Sequence, residues 1–178
     1  MASVTTLLDD PASVGVWNLV PERSTIAFNA KSVWGLMTVK GRFAEFSGDG
    51  QITDSGAVLG RMDIKAASLD TKLRKRDKDL RAPEFFDVEK YPDITVVVTG
   101  GDPVGDDTVD LRTNLTVKDT TLPLPLRARV TVLGDGAVRV STQVTVDRKQ
   151  FGVEGNMLGM VGDEATISAD AVFRRAGG

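Results

Sequence analysis

The densest run of reactive side chains lies in residues 68–95, SLDTKLRKRDKDLRAPEFFDVEKYPDIT. Lys72, Arg74, Lys75, Arg76, Lys78 and Arg81 surround two carboxylates, Asp77 and Asp79, with Glu84 just beyond. Such a cluster could bind a phosphate, an anionic head group or a nucleic acid. No aromatic ring interleaves with the cations for base stacking, and the whole chain carries a formal charge of −3. Nucleic acid is therefore not an expected partner. The spacing predicts a solvated helix face instead, with Asp77 and Arg81 four residues apart and Lys75 and Asp79 likewise. Each such pair contributes a few tenths of a kcal/mol. Peripheral contact with a membrane surface is the other reading of the cluster.

Catalytic alternatives fall by counting. The sequence has no histidine and no cysteine, which removes the commonest general base, the commonest metal ligand and all thiolate chemistry. Ser24, Ser47 and Ser68 have no histidine to activate them. Asp77, Asp79 and Glu84 sit among cations that keep them ionised, so none is tuned toward a general acid. Gly48-Asp49-Gly50 and Gly134-Asp135-Gly136 read as turns, because no Lys-Ser or Lys-Thr and no helix start follows them. No calcium-loop spacing occurs. The sequence predicts neither an enzyme nor a metal protein.

What remains is apolar chemistry. Phe85 and Phe86 follow the charged run. They would either anchor it to a barrel rim or close a cavity over a ligand tail. Leu73 and Leu80, seven apart, would share one side of the helix. Trp34 and Met37 flank Gly35 in a short apolar turn, which is either a portal or a tucked corner. Met157, Leu158 and Met160 occupy the glycine-punctuated loop GNMLGM, and methionine adapts to irregular partners.

Period-two alternation, the mark of half-buried strands, fills most of the chain. Clear rows include Ile26-Phe28-Ala30, Val39-Gly41-Phe43, Val58-Gly60-Met62-Ile64, Ile94-Val96-Val98, Val109 to Val117, Val138 to Val146 and Ile167 to Phe173. Another runs from Leu122 to Val132, but Pro123 and Pro125 lack an N–H, so its start is not a fully paired central strand. Eight or nine strands in a meander must pack as two sheets or close on themselves. About eight strands in a closed barrel leave room for side chains or for one small ligand. The 178 residues, 41% of them hydrophobic, suit one such domain. The expected organisation is a flexible N-terminal segment over 1–15 and a single domain over 16–175. Met1 to Val16 shows neither the basic start nor the apolar centre of an export signal, so a cytoplasmic location is expected.

The order of several segments carries a resemblance. VWNL, ERSTIAFNAK, VKGRFAEFSG, SLDT, RDKDLRAPEFFDVEKYPDIT, LRTNLTVKDTTLPLPL, VTVDRKQFGV and VGDEATI follow one another as in the YceI-like, polyisoprenoid-binding protein family, which the chain resembles over roughly residues 16–173. The resemblance implies an all-β fold, an extended lipocalin-like antiparallel β-barrel with a short helical insert, holding a long isoprenoid chain. It implies no cofactor other than such a bound lipid. Family members often carry histidine where this chain has Arg23, Lys31, Asp79 and Lys118, so any role of those histidines is absent here. The expected ligand-binding residues are Phe28, Trp34, Met37, Phe43, Met62, Phe85, Phe86, Ile94, Leu115, Phe151, Met157 and Leu158. The alternative is an interaction or structural module with a filled barrel. A homodimer through a rim or sheet edge is the expected homotypic contact.

Overall fold

The computed structural model describes residues 3–32, 38–155 and 161–177. It begins with helix α1 (Val4–Asp9) and a 3-10 turn at Pro11–Ser13. Strands β1 (Gly15–Leu19), β2 (Thr25–Ser32), β3 (Thr38–Phe43), β4 (Phe46–Ile52), β5 (Val58–Lys65) and β6 (Leu69–Asp70) precede helix α2 (Arg74–Arg81). Strands β7 (Asp93–Pro103), β8 (Thr108–Val117), β9 (Thr120–Pro123), β10 (Leu126–Val132), β11 (Val138–Asp147) and β12 (Val161–Arg175) complete it.

Strands β1, β4, β5, β7, β8, β10, β11 and β12 pair in that order, and β12 pairs back to β1, closing a ring of eight. Every pairing is antiparallel, as the hairpin-length connections predict. The ring is extended because β12 serves two partners on one edge. Its C-terminal end meets β1, with Leu19 opposite Phe173, and the stretch up to Asp170 meets β2. Ser24 makes the switch. Its hydroxyl donates to Val20 O at 2.8 Å and accepts from Val172 N–H at 2.9 Å, bridging the 3-10 turn at Pro21–Arg23 that separates β1 from β2. Beyond β2 the sheet continues through β3 to the short β6.

The prolines act as their missing donors require. The Leu122–Val132 row is two strands. The first, β9, pairs with β8 and, among the described residues, with no other strand, and the second, β10, begins after Pro125. At the barrel's start, Ser3 caps α1 by accepting from Thr6 N–H at 3.1 Å. Val4 of that helix is buried against Val109 and Ala128. Where the sequence suggested a flexible segment, the chain from Ser3 to Ser13 is folded against the barrel.

The apolar side chains gather toward two ends. Trp17, Ile52 and Val138 pack with Leu7 and Leu8 on the α1 side. A larger cluster containing Phe43, Ile64, Leu69, Leu80, Phe85, Leu115, Phe151 and Val153 forms on the α2 side. The interior between them is hollow.

Candidate functional site

Helix α2 is held by backbone carbonyls and one buried carboxylate, where spacing predicted an ion-pair ladder. Asp77 is buried and accepts from Thr71 N–H at 2.9 Å and from the Thr71 hydroxyl. Arg76 donates through Nε to Thr71 Oγ1 at 2.8 Å and through Nη2 to Thr71 O at 2.7 Å. Arg81 reaches back to Ala67 O and Leu69 O, both at 3.0 Å. Asp77 thus faces Thr71, not Arg81, and among the described residues no ion pair joins Lys75 to Asp79. The reason is local. Lys72 adopts a left-handed φ of 67°, its N–H bonds to Asp70 Oδ1 at 2.8 Å, and the reversal lays Thr71 over the first helical turn. Leu73 consequently precedes the helix and is exposed, while Leu80 is buried, so the two do not share a face.

With α2 docked, the barrel encloses a cavity of about 360 Å³, within the range of small-molecule sites. Of the residues expected to bind ligand, Phe28, Phe43, Met62, Phe85, Phe86, Ile94, Leu115 and Phe151 all line it. Trp34, Met37, Met157 and Leu158 lie outside the described residues. Phe28 and Phe43 meet at 5.3 Å between ring centroids, and Phe43 meets Phe86 edge-on at 6.2 Å and 82°. This aromatic wall uses the favoured tilted and T-shaped contacts. It comes from one face of β2, one of β3 and the turn after α2.

The far end of the cavity was not anticipated. Val4, Leu7, Leu8 and Trp17 line it. The signal was present as apolar residues at i, i+3 and i+4 behind a serine N-cap. Aliphatic side chains of β7, β11 and β12 complete the wall, among them Val96, Val98, Val140, Val144 and Ile167.

Arg61, Arg76, Thr142 and Arg148, polar residues of the lining, are engaged in hydrogen bonds. Arg148 is buried and donates to Gly162 O at 2.8 Å and to Val153 O and Gly155 O, both at 2.7 Å. Burial pushes its guanidinium pKa down, against the pull of Asp163 and Asp147, yet a guanidinium stays charged in a protein. Lys118 donates to Pro83 O at 3.1 Å and Gly152 O at 2.9 Å, tying the β8–β9 turn to the segment that carries Phe85. Of the serines considered as nucleophiles, Ser24 joins strands and Ser68 donates to Lys65 O at 2.7 Å while accepting from Glu45 N–H at 3.0 Å. The carboxylates with displaced pKa values are all held low. Hydrogen bonds from Arg61 and Arg127 lower Asp63 and Asp110. The Ala137 N–H, then Arg23, lowers Asp135, and the Lys72 N–H leads at Asp70. Low values suit ion pairing and oppose general-acid work. Among the described residues no group of three acidic side chains is placed to hold a metal. The arrangement can desolvate an apolar chain, and its side chains offer it few hydrogen bonds.

Known proteins share this architecture. The structure is similar to that of BcnA from Burkholderia cenocepacia, with a TM-score of 0.78 at 21% identity over 86% of this chain and 98% of that one. It is also similar to a polyisoprenoid binding domain from Saccharophagus degradans, with a TM-score of 0.75 at 18% identity over 89% and 98% of the two chains. In sequence, a UPF0312 protein of Pectobacterium atrosepticum is 31% identical over 139 residues, 74% of this chain and 71% of that protein. A protein YceI of Salmonella arizonae is 32% identical over 103 residues, 57% of this chain and 53% of that protein. The YceI-like domain family matches residues 17–173, nearly the whole barrel from β1 to β12, and the chain belongs to that family.

Proposed function

We propose that the protein binds and carries an elongated apolar lipid of the polyisoprenoid class inside the barrel, without transforming it. The observation that carries this reading is the cavity. Its volume is about 360 Å³, it runs from α1 to the Phe28–Phe43–Phe86 wall, and its lining is overwhelmingly hydrocarbon. Burial of a chain there is worth about 0.8 kcal/mol per CH₂, so a five-carbon unit contributes on the order of 4 kcal/mol before the cost of immobilising it. Such binding reads length and girth more than functional groups, and a branched, unsaturated chain matches a wall of aromatic and β-branched side chains. The similarity to a neighbour described as a polyisoprenoid binding domain supports the same class.

Native mass spectrometry of mildly purified protein, followed by solvent extraction, tests the proposal. An extracted lipid bound at one per chain is expected. A delipidated protein that then takes up neither a prenyl alcohol nor a fluorescent fatty acid in a saturable way would refute it.

A further inference from the structure

One seam of the barrel wall is only half zipped. Strands β10 and β11 pair from Val132 opposite Val138 to Ala128 opposite Thr142, and there the ladder stops. Strand β11 runs on to Asp147, its other edge still paired with β12 from Gln143–Ser168 to Asp147–Glu164. Continuing the register would set Leu126 against Val144 and Leu124 against Val146. Among the described residues neither pairing exists, and no strand takes up that stretch of β11.

The sequence keeps the seam open. Leu124 N–H bonds to Thr113 O at 2.8 Å, and the Thr113 hydroxyl caps Leu124 O. Backbone groups alternate sides along a strand, so Leu122 and Leu124 face β8, and Thr121, Pro123 and Pro125 face the seam. Two of those three positions have no N–H to donate. The lips are otherwise suited to an apolar guest. Leu124 and Leu126 on one side and Val144 and Val146 on the other are half-buried and line the cavity. The outward neighbours Pro123, Pro125, Gln143 and Thr145 are exposed and uncharged. Both barrel ends, by contrast, carry packed plugs, α1 with Val4 at one and Phe85 with Phe151 at the other.

We propose that this seam is the entrance of the cavity, through which the apolar chain passes sideways by parting Leu124 and Leu126 from Val144 and Val146. The proposal rests on the reading that the cavity holds a lipid chain. It assigns access to the side wall and leaves both plugs in place during loading.

The test uses the full chain, which has no cysteine of its own. Leu126→Cys with Val144→Cys locks the seam, by a disulfide or by a short bis-maleimide bridge. Arg129→Cys with Ser141→Cys places the same lock on the zipped part of the same two strands, where those residues are already paired. Stopped-flow fluorescence follows uptake of parinaric acid by delipidated protein. Locking the seam should slow uptake at least about tenfold, a large change for an association rate among variants of one site. Unlocking the disulfide should restore it, and the lock at Arg129 and Ser141 should leave it unchanged. Equal uptake rates with the seam locked and unlocked, in protein that binds the probe, would overturn the entrance alone. Absence of saturable binding in the unsubstituted protein would overturn the lipid reading and the entrance with it.

Discussion

Gly155→Ala reports most directly on how the α2 end of the cavity is held. Gly155 N–H donates to Glu84 O at 2.6 Å, and its carbonyl accepts from Arg148 Nη1 at 2.7 Å. A methyl group on Gly155 would lie 2.5, 2.6 and 2.8 Å from Cε2, Cδ2 and Cζ of the Phe85 ring. Comfortable carbon contacts are about 3.5–4.0 Å, so three ring atoms overlap by about 1 Å. Overpacking of this kind costs roughly 1–3 kcal/mol. The chain can relieve it in two ways. Lifting Gly155 breaks two hydrogen bonds, one of them to a buried guanidinium, at roughly 2–4 kcal/mol together. Swinging the ring into the cavity breaks neither, because Phe85 borders open space. The second route is cheaper, so the stability loss should fall near the low end, about 1 kcal/mol, or about 2–4 °C in melting temperature for a chain of this size. The ring then displaces ligand. Two lost methylene contacts correspond to about 1.6 kcal/mol, roughly a 15-fold weaker Kd. Urea titration and fluorescent fatty-acid binding measure the two effects on the same preparation. Gly155→Ala combined with Phe85→Leu should be less destabilised than the sum of the single substitutions, by about 1 kcal/mol, because the smaller side chain vacates the overlap. A Gly155→Ala protein with unchanged midpoint and unchanged affinity would show that the 153–155 segment yields freely and that Phe85 is not wedged.

Other substitutions test separate elements. Asp77→Ala orphans the buried Thr71 N–H and hydroxyl and should cost about 1–3 kcal/mol in a thermal melt, with Asp77→Asn recovering part of it. Ala169→Phe adds a ring to a residue that lines the cavity and should abolish fatty-acid uptake while leaving a cooperative melt; uptake at the original capacity would place the ligand elsewhere. Asp63 is held low chiefly by its hydrogen bond from Arg61. A depressed carboxylate stabilises the fold above its unfolded pKa of about 3.9, and that stabilisation disappears as pH falls through the folded value. Urea midpoints of the unsubstituted protein and Asp63→Asn should therefore differ at pH 7 and converge in acid, with the neutral-pH difference shrinking in salt.

The barrel was legible because period-two rows need no tertiary information. One face of Ile26-Phe28-Ala30 or Val58-Gly60-Met62-Ile64 must be buried; the number of such rows leaves two packed sheets or a closed ring, and the family resemblance points to the ring that β12 closes on β1. The Pro123 and Pro125 prediction succeeded for the same local reason, since a missing N–H is visible in the sequence. Helix α1 was missed because its Val4, Leu7 and Leu8 stripe is short and runs straight into Asp9-Asp10-Pro11, which reads as loop. The helical-pair arithmetic failed at Asp77 because the left-handed Lys72 folds Thr71 over that carboxylate, a reversal that charge spacing does not encode. Leu73 failed for the related reason that it lies before the helix begins. The approach of Gly155 to Phe85 joins segments about seventy residues apart, so only the folded chain reveals it. Phe28 and Phe43 line the cavity because a large apolar side chain on an inward row of a narrow barrel has nowhere else to go.

Strand β12 bears on the order in which the protein can be made. It is the final strand described, and it supplies the ladder for β1, β2 and β11. During vectorial synthesis β1 and β2 emerge early, yet β12 is the partner that closes the ring upon them, with Trp17 waiting for Arg175. Until β12 has emerged, β1, β2 and β11 each lack one of their partners, the condition under which slow, long-range closure exposes a chain to aggregation. A cell has reason to shield this polypeptide until β12 is made, and removing Phe173, Arg174 and Arg175 would take away the rungs that join β12 to β1 and so unlatch the ring at that seam, where fraying of an ordinary edge strand would leave it closed.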